Sequence, residues 1–547
     1  MGLPLYRWDW QQVYLAAFLL LCFVAAGCGR NETPVQRGNR DGIFYVGIGP
    51  DPQELDPQTA TGIPEAAILR ALGEGLVNLD SRDLHPIPGV AERWEISADG
   101  LTYKFHLRAE ARWSDGASLT AGDFLASFQR ELSPGLGAEL SYLLWPIRNA
   151  EMFNKGRLAD FGKVGVRALD DRTLELTLER PTAYFLTLLA QRMFYPVRPA
   201  SGSELKRGRA PVADKQGAAA AGWIGNGPFA MAEWRHNREI VLRRNPHYWN
   251  AAAVRLKEIH FCVIEDVEAE ERAFRAGLLH KTARMPQGKI DAYRRDHPGQ
   301  LRIDPSLGTY YYLINTMRPP LDDTRVRRAL ALAIDRTALV QHVARGGQRE
   351  AEAFTPPGTA GYTARTSLPF DPDTARQLLA AAGYPGGRGL PTLELLFNTN
   401  DNHRQLAEAV QAMWQRELGV VARLVNQEWK VFLHSISTGD FAIARAGWSG
   451  GYLDPNAFLD NFVSGGANNR TGFADPRYDA LLAEAAATTD PDARRELLQE
   501  AETRLLEAAP IIPIYHYTYP YLLQPSVRGW PANVLDYHLY QEVELRK

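Results

Sequence analysis

Apolar and polar positions follow two different periods along this chain. "LTYKFHLR" (101–108) alternates every second residue after the turn-forming "ADG", and "RTLELTLE" (172–179) puts Leu174, Leu176 and Leu178 on one face. Period two predicts half-buried strands. "DGIFYVGIG" (41–49) is an extended apolar run bounded by Gly and Pro, and "IHFCVIE" (259–265) alternates with Cys262 as a small buried apolar residue. Elsewhere the period lengthens. Leu406, Val410, Met413, Trp414 and Leu418 fall on one helical face, with Gly419 as the stop. Asp490 and Pro491 open another helix, with Leu498, Ala501 and Leu505 inward before Pro510 ends it. No short repeat or low-complexity tract interrupts this alternation, which excludes a solenoid and predicts a mixed α/β protein with several sheets.

The N-terminus departs from the pattern. Arg7 leads into an apolar run from Val13 to Ala26, then "AAGC". The run is shorter than the roughly 20 residues a spanning helix needs and matches a secretory signal over 1–27. Its end resembles a bacterial lipobox, in which Cys28 is lipidated and becomes the new N-terminus. Ala25 stands where Leu is more usual, and Asp9 dilutes the positive lead; a plain cleaved signal with a chance Cys is the alternative. Residues 28–42, polar and aperiodic, are expected as a tether. This predicts a membrane-anchored lipoprotein of the cell envelope, facing the periplasm or the exterior.

Composition narrows the classes further. Of three cysteines, Cys22 lies in the signal and Cys28 takes the lipid, leaving Cys262. The mature chain then has no disulfide and no metal site on paired thiolates, and no cofactor is expected. A net charge of −3 with no basic stripe argues against nucleic acid. The length, 547 residues, allows more than one packed domain.

Several segments together carry a family likeness: "ELDPQ" (54–58), "GEGLVNLD" (73–80), "PGVAERWEISADGLTYKFHLRAEARWSDGASLTAGDF" (88–124), "NGPFAMAEW" (226–234), "NPHYWN" (245–250), "YYYLINTMRPPLDDTRVRRALALAIDR" (310–336) and "WSGGYLDPNAFL" (448–459). In this order they resemble the bacterial extracellular solute-binding proteins of family 5, the oligopeptide and dipeptide binders of ABC importers. The stretch 88–124 is the most specific, with Trp94, Asp99-Gly100, Trp113 and Asp115-Gly116 at family-like spacing. The resemblance implies an α/β, two-lobed periplasmic-binding-protein-like fold (type II, three-domain variant). Domain I would be discontinuous (43–80, 197–303 and 520–547), domain II would span 81–196, and domain III 304–519. It also implies a monomer that encloses a peptide or peptide-like ligand between closing lobes, presents it to an ABC permease, and performs no chemistry.

The candidate site follows from the same alignment. "GWSGG" (447–451) matches G-x-S-x-G, but a nucleophile elbow needs a helix directly after Ser449, and "GYLDP" reads as loop. No His is marked as a partner, so a serine hydrolase is the minor alternative. The resemblance instead makes Trp448, Gly451, Tyr452 and Asp454 a wall of the ligand pocket. In the family the third residue after the pocket Trp is commonly an Asp that pairs with the ligand's α-amino group. Here it is Gly451, with Asp454 as the substitute to be tested. Arg445 and His403 match positions at the far end of the pocket, and both are read as cations for a ligand carboxylate. Arg445 has a second reading, pairing with a nearby Asp or Glu, and His403 another, as a surface or capping residue. Tyr310 and Tyr312 share one strand face with Tyr311 on the other, and the strand borders the cleft. Trp94, Trp113 and Trp414 are read as core. Asn226 and Gly227 resemble a cleft-edge motif, with an Asn-Gly turn before a strand as the structural reading. Gly451 keeps a second ligand class open: a blocked peptide, cell-wall fragment, opine or sugar. A sensory or adhesive lipoprotein without a permease is a further alternative.

Overall fold

A computed structural model describes residues 32–198 and 223–547. The signal segment 1–27 and Cys28 lie outside the described residues. In chain order, helix α1 (Pro34–Asp41) leads into strand β1 (Ile43–Gly49) and helix α2 (Ile63–Leu72). The chain then builds a separate antiparallel sheet from β2 (Ala91–Ile96), β3 (Thr102–Leu107), β4 (Val166–Asp170) and β5 (Thr173–Thr177), in the order β2-β3-β5-β4. It returns with β6 (Phe229–Arg235), β7 (Glu239–Arg244) and β8 (Glu258–Val263), which complete the first sheet as β1-β8-β7-β6. A six-stranded sheet follows: β9 (Leu301–Ile314), β10 (Arg349–Glu350), β11 (Leu393–Asn398), β12 (Ala422–Gln427), β13 (Ile443–Ser449) and β14 (Ile511–Leu522), in the order β10-β14-β9-β13-β11-β12. Helices α3 (Asp401–Leu418) and α4 (Pro491–Ala508) pack on its two faces. No helix among the described residues is long and apolar enough to cross a membrane.

The local predictions hold in these elements. Leu174, Leu176 and Leu178 are all buried. Leu406, Val410, Met413, Trp414 and Leu418 line the buried face of α3, which Gly419 ends in a left-handed C-cap. Asp490 caps α4 by accepting from Ala493 N at 2.7 Å. Trp113 and Trp414 are core, and Trp94 packs partly buried beside Phe105. Cys262 is only half-buried.

Strands β9 and β14 form the connection on which the site depends. They pair antiparallel from Leu301↔Leu522 to Leu313↔Ile511, with a register break between Pro305 and Thr309. One end belongs to a core with Phe274 and Tyr293, through Leu522. The other belongs to a core with Trp414 and Val410, through Tyr310, Tyr312 and Ile512. A long paired ribbon interrupted by a bulge, with its ends in different cores, joins the two lobes.

One expectation is corrected here. The segment taken as tether contains α1. "TPVQ" is a capping box: Thr33 Oγ1 accepts from Gln36 N at 3.2 Å, and Gln36 Oε1 accepts from Thr33 N at 2.9 Å. Pro34 fits the first turn and Gly42 takes the left-handed C-cap. The helix docks through Val35 N, which donates to Gly277 O at 3.0 Å. Gly38 permits the contact, since a Cβ there would lie 2.6 Å from His280 Cε1.

Candidate functional site

The site is organised by β13. On one side it pairs with β9 throughout, from Gly308↔Ser449 to Ile314↔Ile443. On the other it meets β11 only at Leu395↔Ile443 and Leu396↔Ala444. Arg445 to Ser449 therefore present an unpaired strand edge. Gly447, Ser449 and Gly451 are exposed along this stretch. Gly447 also makes room for Tyr517, whose hydroxyl would lie 2.5 Å from a Cβ. Trp448 is half-buried and its Nε1 donates to Ala457 O at 2.6 Å, so it fixes the loop after the strand.

At one end of this edge, three sequence candidates come together. The Arg445 guanidinium carbon is 5.3 Å from the Tyr310 ring centroid. The Tyr310 hydroxyl is 3.4 Å from His403 Nδ1. His403 sits in the first turn of α3, where Asn400 Oδ1 accepts from its backbone N at 3.2 Å. Arg445 makes no ion pair among the described residues, and its buried Nε has no partner; the Asp/Glu pairing reading fails. Its guanidinium reaches the Tyr310 and Tyr517 hydroxyl groups and, with no acidic partner among the described residues, suits a carboxylate. His403 is not the cation the sequence reading made it. Burial, and then the positive charge of Arg445, push its pKa down to about 4, so it is a neutral donor or acceptor at pH 7. Tyr310 and Tyr312 do share a face, opposite Tyr311, but both are fully buried in the core and offer no open surface to a ligand.

At the other end stand Gly451, Tyr452 and Asp454. A Cβ at Gly451 would meet only Tyr142 Oη, at 3.8 Å. Tyr452 stacks on Tyr184 with centroids 4.5 Å apart, and Gln191 Nε2 donates to Gly451 O at 3.4 Å. Both contacts reach across to the part of the chain that carries the second sheet. Asp454 is no substitute for the missing anchor. It is buried, and Arg494 Nη2 and Nη1 donate to its two oxygens at 2.7 and 2.9 Å. That geometry consumes the carboxylate.

Asn226 and Gly227 lie apart from both ends. Asn226 Oδ1 accepts from Glu74 N at 3.0 Å and its Nδ2 donates to Glu74 O at 2.8 Å. A Cβ on Gly227 would come 2.5 Å from Leu72 C. The amide is spent on a chain crossing, so these two residues hold the fold rather than face a ligand. Ser449 is followed by a loop until the helix at Asn456–Leu459, and no histidine bonds to it among the described residues. The elbow geometry is absent.

Sequence reasoning missed the residues that face Gly451. A cavity of about 210 Å³ opens between Ser449–Gly451 and Arg70, Gln191 and Arg192. Arg70 ends α2 and Arg192 sits in a short 3-10 turn, so neither carries a local motif that would have singled it out.

Comparison with known proteins places this geometry. The model for "Bacterial extracellular solute-binding proteins, family 5 Middle" matches residues 85–470. The periplasmic murein peptide-binding protein MppA of Escherichia coli is 38% identical over 495 residues, covering 89% of this chain and 90% of that protein. The probable deoxycholate-binding periplasmic protein YgiS of Escherichia coli is 36% identical over 516 residues, covering 92% and 94%. Among solved structures, the unliganded open form of MppA is similar with a TM-score of 0.84 and 35% identity, over 92% of this chain and 97% of that one. The chain, with its unpaired strand edge beside the ribbon that joins two cores, belongs to the bacterial extracellular solute-binding proteins of family 5.

Proposed function

We propose that the protein is a lipid-anchored receptor that captures a peptide or peptide-like ligand and delivers it to an ABC importer permease. The observation that carries this is the open edge of β13, Arg445–Ser449, at the mouth of the two-lobe cleft. An extended backbone adds there as a further strand, bound by main-chain groups with little demand on its side chains. The edge spans about 13 Å at ~3.3 Å per residue, the length of a peptide of three or four residues. Arg445 at one end receives the terminal carboxylate, and neutral His403 contributes a hydrogen bond. Trp448, Gly451 and Tyr452 wall the other end. Closure about the β9–β14 ribbon brings the second lobe onto the ligand, and contacts made by both lobes shift the open–closed equilibrium. The likeness to an open, unliganded relative supports this. The lobes are taken as domain I (43–80, 197–303, 520–547) with domain II (81–196), against domain III (304–519). The separate cores at either end of the ribbon support that division.

A second reading, a ligand without a free α-amino group, is favoured by Gly451 and by the engagement of Asp454 with Arg494. The deoxycholate named for one relative supports a ligand range wider than peptides. Native mass spectrometry of the protein lacking residues 1–28, followed by denaturation, tests both readings. Released free peptides support the first and an N-blocked or non-peptide molecule the second; neither, with no binding of added peptides, refutes both. Membrane fractionation of a Cys28→Ala protein tests the anchor, which predicts release into the soluble fraction.

A further inference from the structure

The cavity beside Gly451 contains two cations and no anion. Arg70 and Arg192 line it with Ser449–Gly451, Ser306 and Tyr519, and no Asp or Glu is among its lining residues. Neither arginine makes an ion pair among the described residues. Arg70 Nη1 donates to Asp536 O at 2.9 Å, and Arg192 Nε and Nη2 donate to Ala60 O at 3.1 and 2.6 Å. The Arg70 guanidinium also lies over the Tyr537 ring, 4.5 Å from its centroid. Two guanidinium groups, held by carbonyls and an aromatic face and with no carboxylate in the lining, stand where the family resemblance places an acid.

The surrounding acids lie outside its lining, and the Asp536 carboxylate, held ionised, faces Arg70 from behind. Asp454 is held by Arg494, and Asp536 by His538 Nε2 at 2.8 Å. Glu65 accepts from Gln53 N at 2.9 Å. Glu131 is fully buried, and burial followed by the charge of Asp56 raises its pKa to about 9, so it is uncharged at neutral pH. Burial, and then the charge of Arg70, lower the Arg192 pKa, while Tyr195 and Glu65 act in the opposite sense. An ammonium placed here would meet two guanidinium groups and no carboxylate in the lining.

We infer that the Arg70–Arg192 recess is an anion subsite, and that the end of the ligand entering it beside Gly451 bears a carboxylate in place of the usual ammonium. This rests on the peptide-like reading above and names its substrate class: an acidic N-acyl peptide, charged at both ends, with Arg445 at the opposite terminus. Arg192, with Nη1 unspent, is the principal contact. Gly451 is the specificity residue, because its missing side chain leaves room for the acyl arm and removes the acid that would repel it.

The test is isothermal titration of the mature protein with N-succinyl-Ala-Ala-Ala, N-acetyl-Ala-Ala-Ala and free Ala-Ala-Ala. The succinyl peptide is expected to bind at least tenfold more tightly than the acetyl peptide, about 1.4 kcal/mol. That margin should shrink as salt rises. Arg192→Gln should bring the succinyl affinity down toward the acetyl value. Gly451→Asp, sterically free, should invert the preference toward the free amine; it keeps the test decisive if the Arg192 variant fails to fold. Equal binding of succinyl and acetyl peptides overturns the anion subsite and leaves the peptide reading standing. Tightest binding of the free peptide by the unaltered protein also overturns it. Failure of all three peptides to bind refutes the peptide reading and this inference together.

Discussion

Asp454 and Arg494 provide a test that separates a structural acid from a ligand anchor. Asp454 is 4% exposed and Arg494 9%, and two charge-assisted hydrogen bonds join them. Replacing Arg494 by Met leaves the carboxylate buried, with only the backbone N of Asn456 donating to it at 2.9 Å. An uncompensated charge of this kind costs about 3–5 kcal/mol. A unit of about 200 residues loses roughly 2–4 °C of melting temperature per kcal/mol, so the expected fall is roughly 6–20 °C. Asp454→Asn should fall by a similar amount because it strands the guanidinium. The joint Asp454→Leu/Arg494→Met protein should recover most of the loss, since an apolar pair of like volume often replaces a buried ion pair without net cost. Circular dichroism melts of the four proteins at pH 7 give the coupling, and titration with ligand gives the binding. Asp454→Asn should keep ligand affinity within about twofold in the folded protein. An unmoved melting temperature together with lost binding would refute the reasoning and return Asp454 to the ligand.

Arg445→Leu should weaken a peptide with a free C-terminal carboxylate about 10- to 100-fold and leave its C-terminal amide nearly unaffected. Its melting temperature should hardly change, because Arg445 makes no ion pair among the described residues. His403 has a folded pKa of about 4 against an ordinary 6.5, so between these values the unfolded chain binds the proton and the folded one does not. Stability from this group is therefore lost as pH falls from 6.5 to 4. His403→Asn should flatten that part of the profile in urea unfolding at pH 4.5 and 7, and an unaltered slope would contradict the burial argument. Thr33→Ala removes half of the capping box and should cost about 1 kcal/mol locally. The readout is faster amide hydrogen exchange over 35–42 with the rest of the chain unchanged.

How much of this was legible follows from the range of each interaction. The face assignments of Tyr310, Tyr311 and Tyr312 were readable because strand side chains alternate whatever the strand packs against. The stop at Gly419 and the cap at Asp490 were readable for the same reason: each is completed within a few residues. The capping box at Thr33–Gln36 was equally local, and was passed over because the surrounding composition looked aperiodic. Asn226 was different. Its partner is Glu74, far back in the chain, and no spacing within "NGPF" distinguishes an amide turned to a ligand from one turned to a crossing loop. His403 was placed correctly at a helix start, but its charge depends on burial and on Arg445, which arrives from another strand.

By itself, the sequence determined the alternation of strands and helices, the buried faces, the family likeness, and the absence of an acid at position 451. These are properties of residue identity and short-range periodicity. The tertiary structure alone decided how the charges are placed: that Asp454 belongs to Arg494, that Arg445 has no acidic partner among the described residues, and that Arg70 and Arg192 meet at Gly451. Pairing energies depend on distance and dielectric, and both are set when segments remote in the chain are brought together by folding.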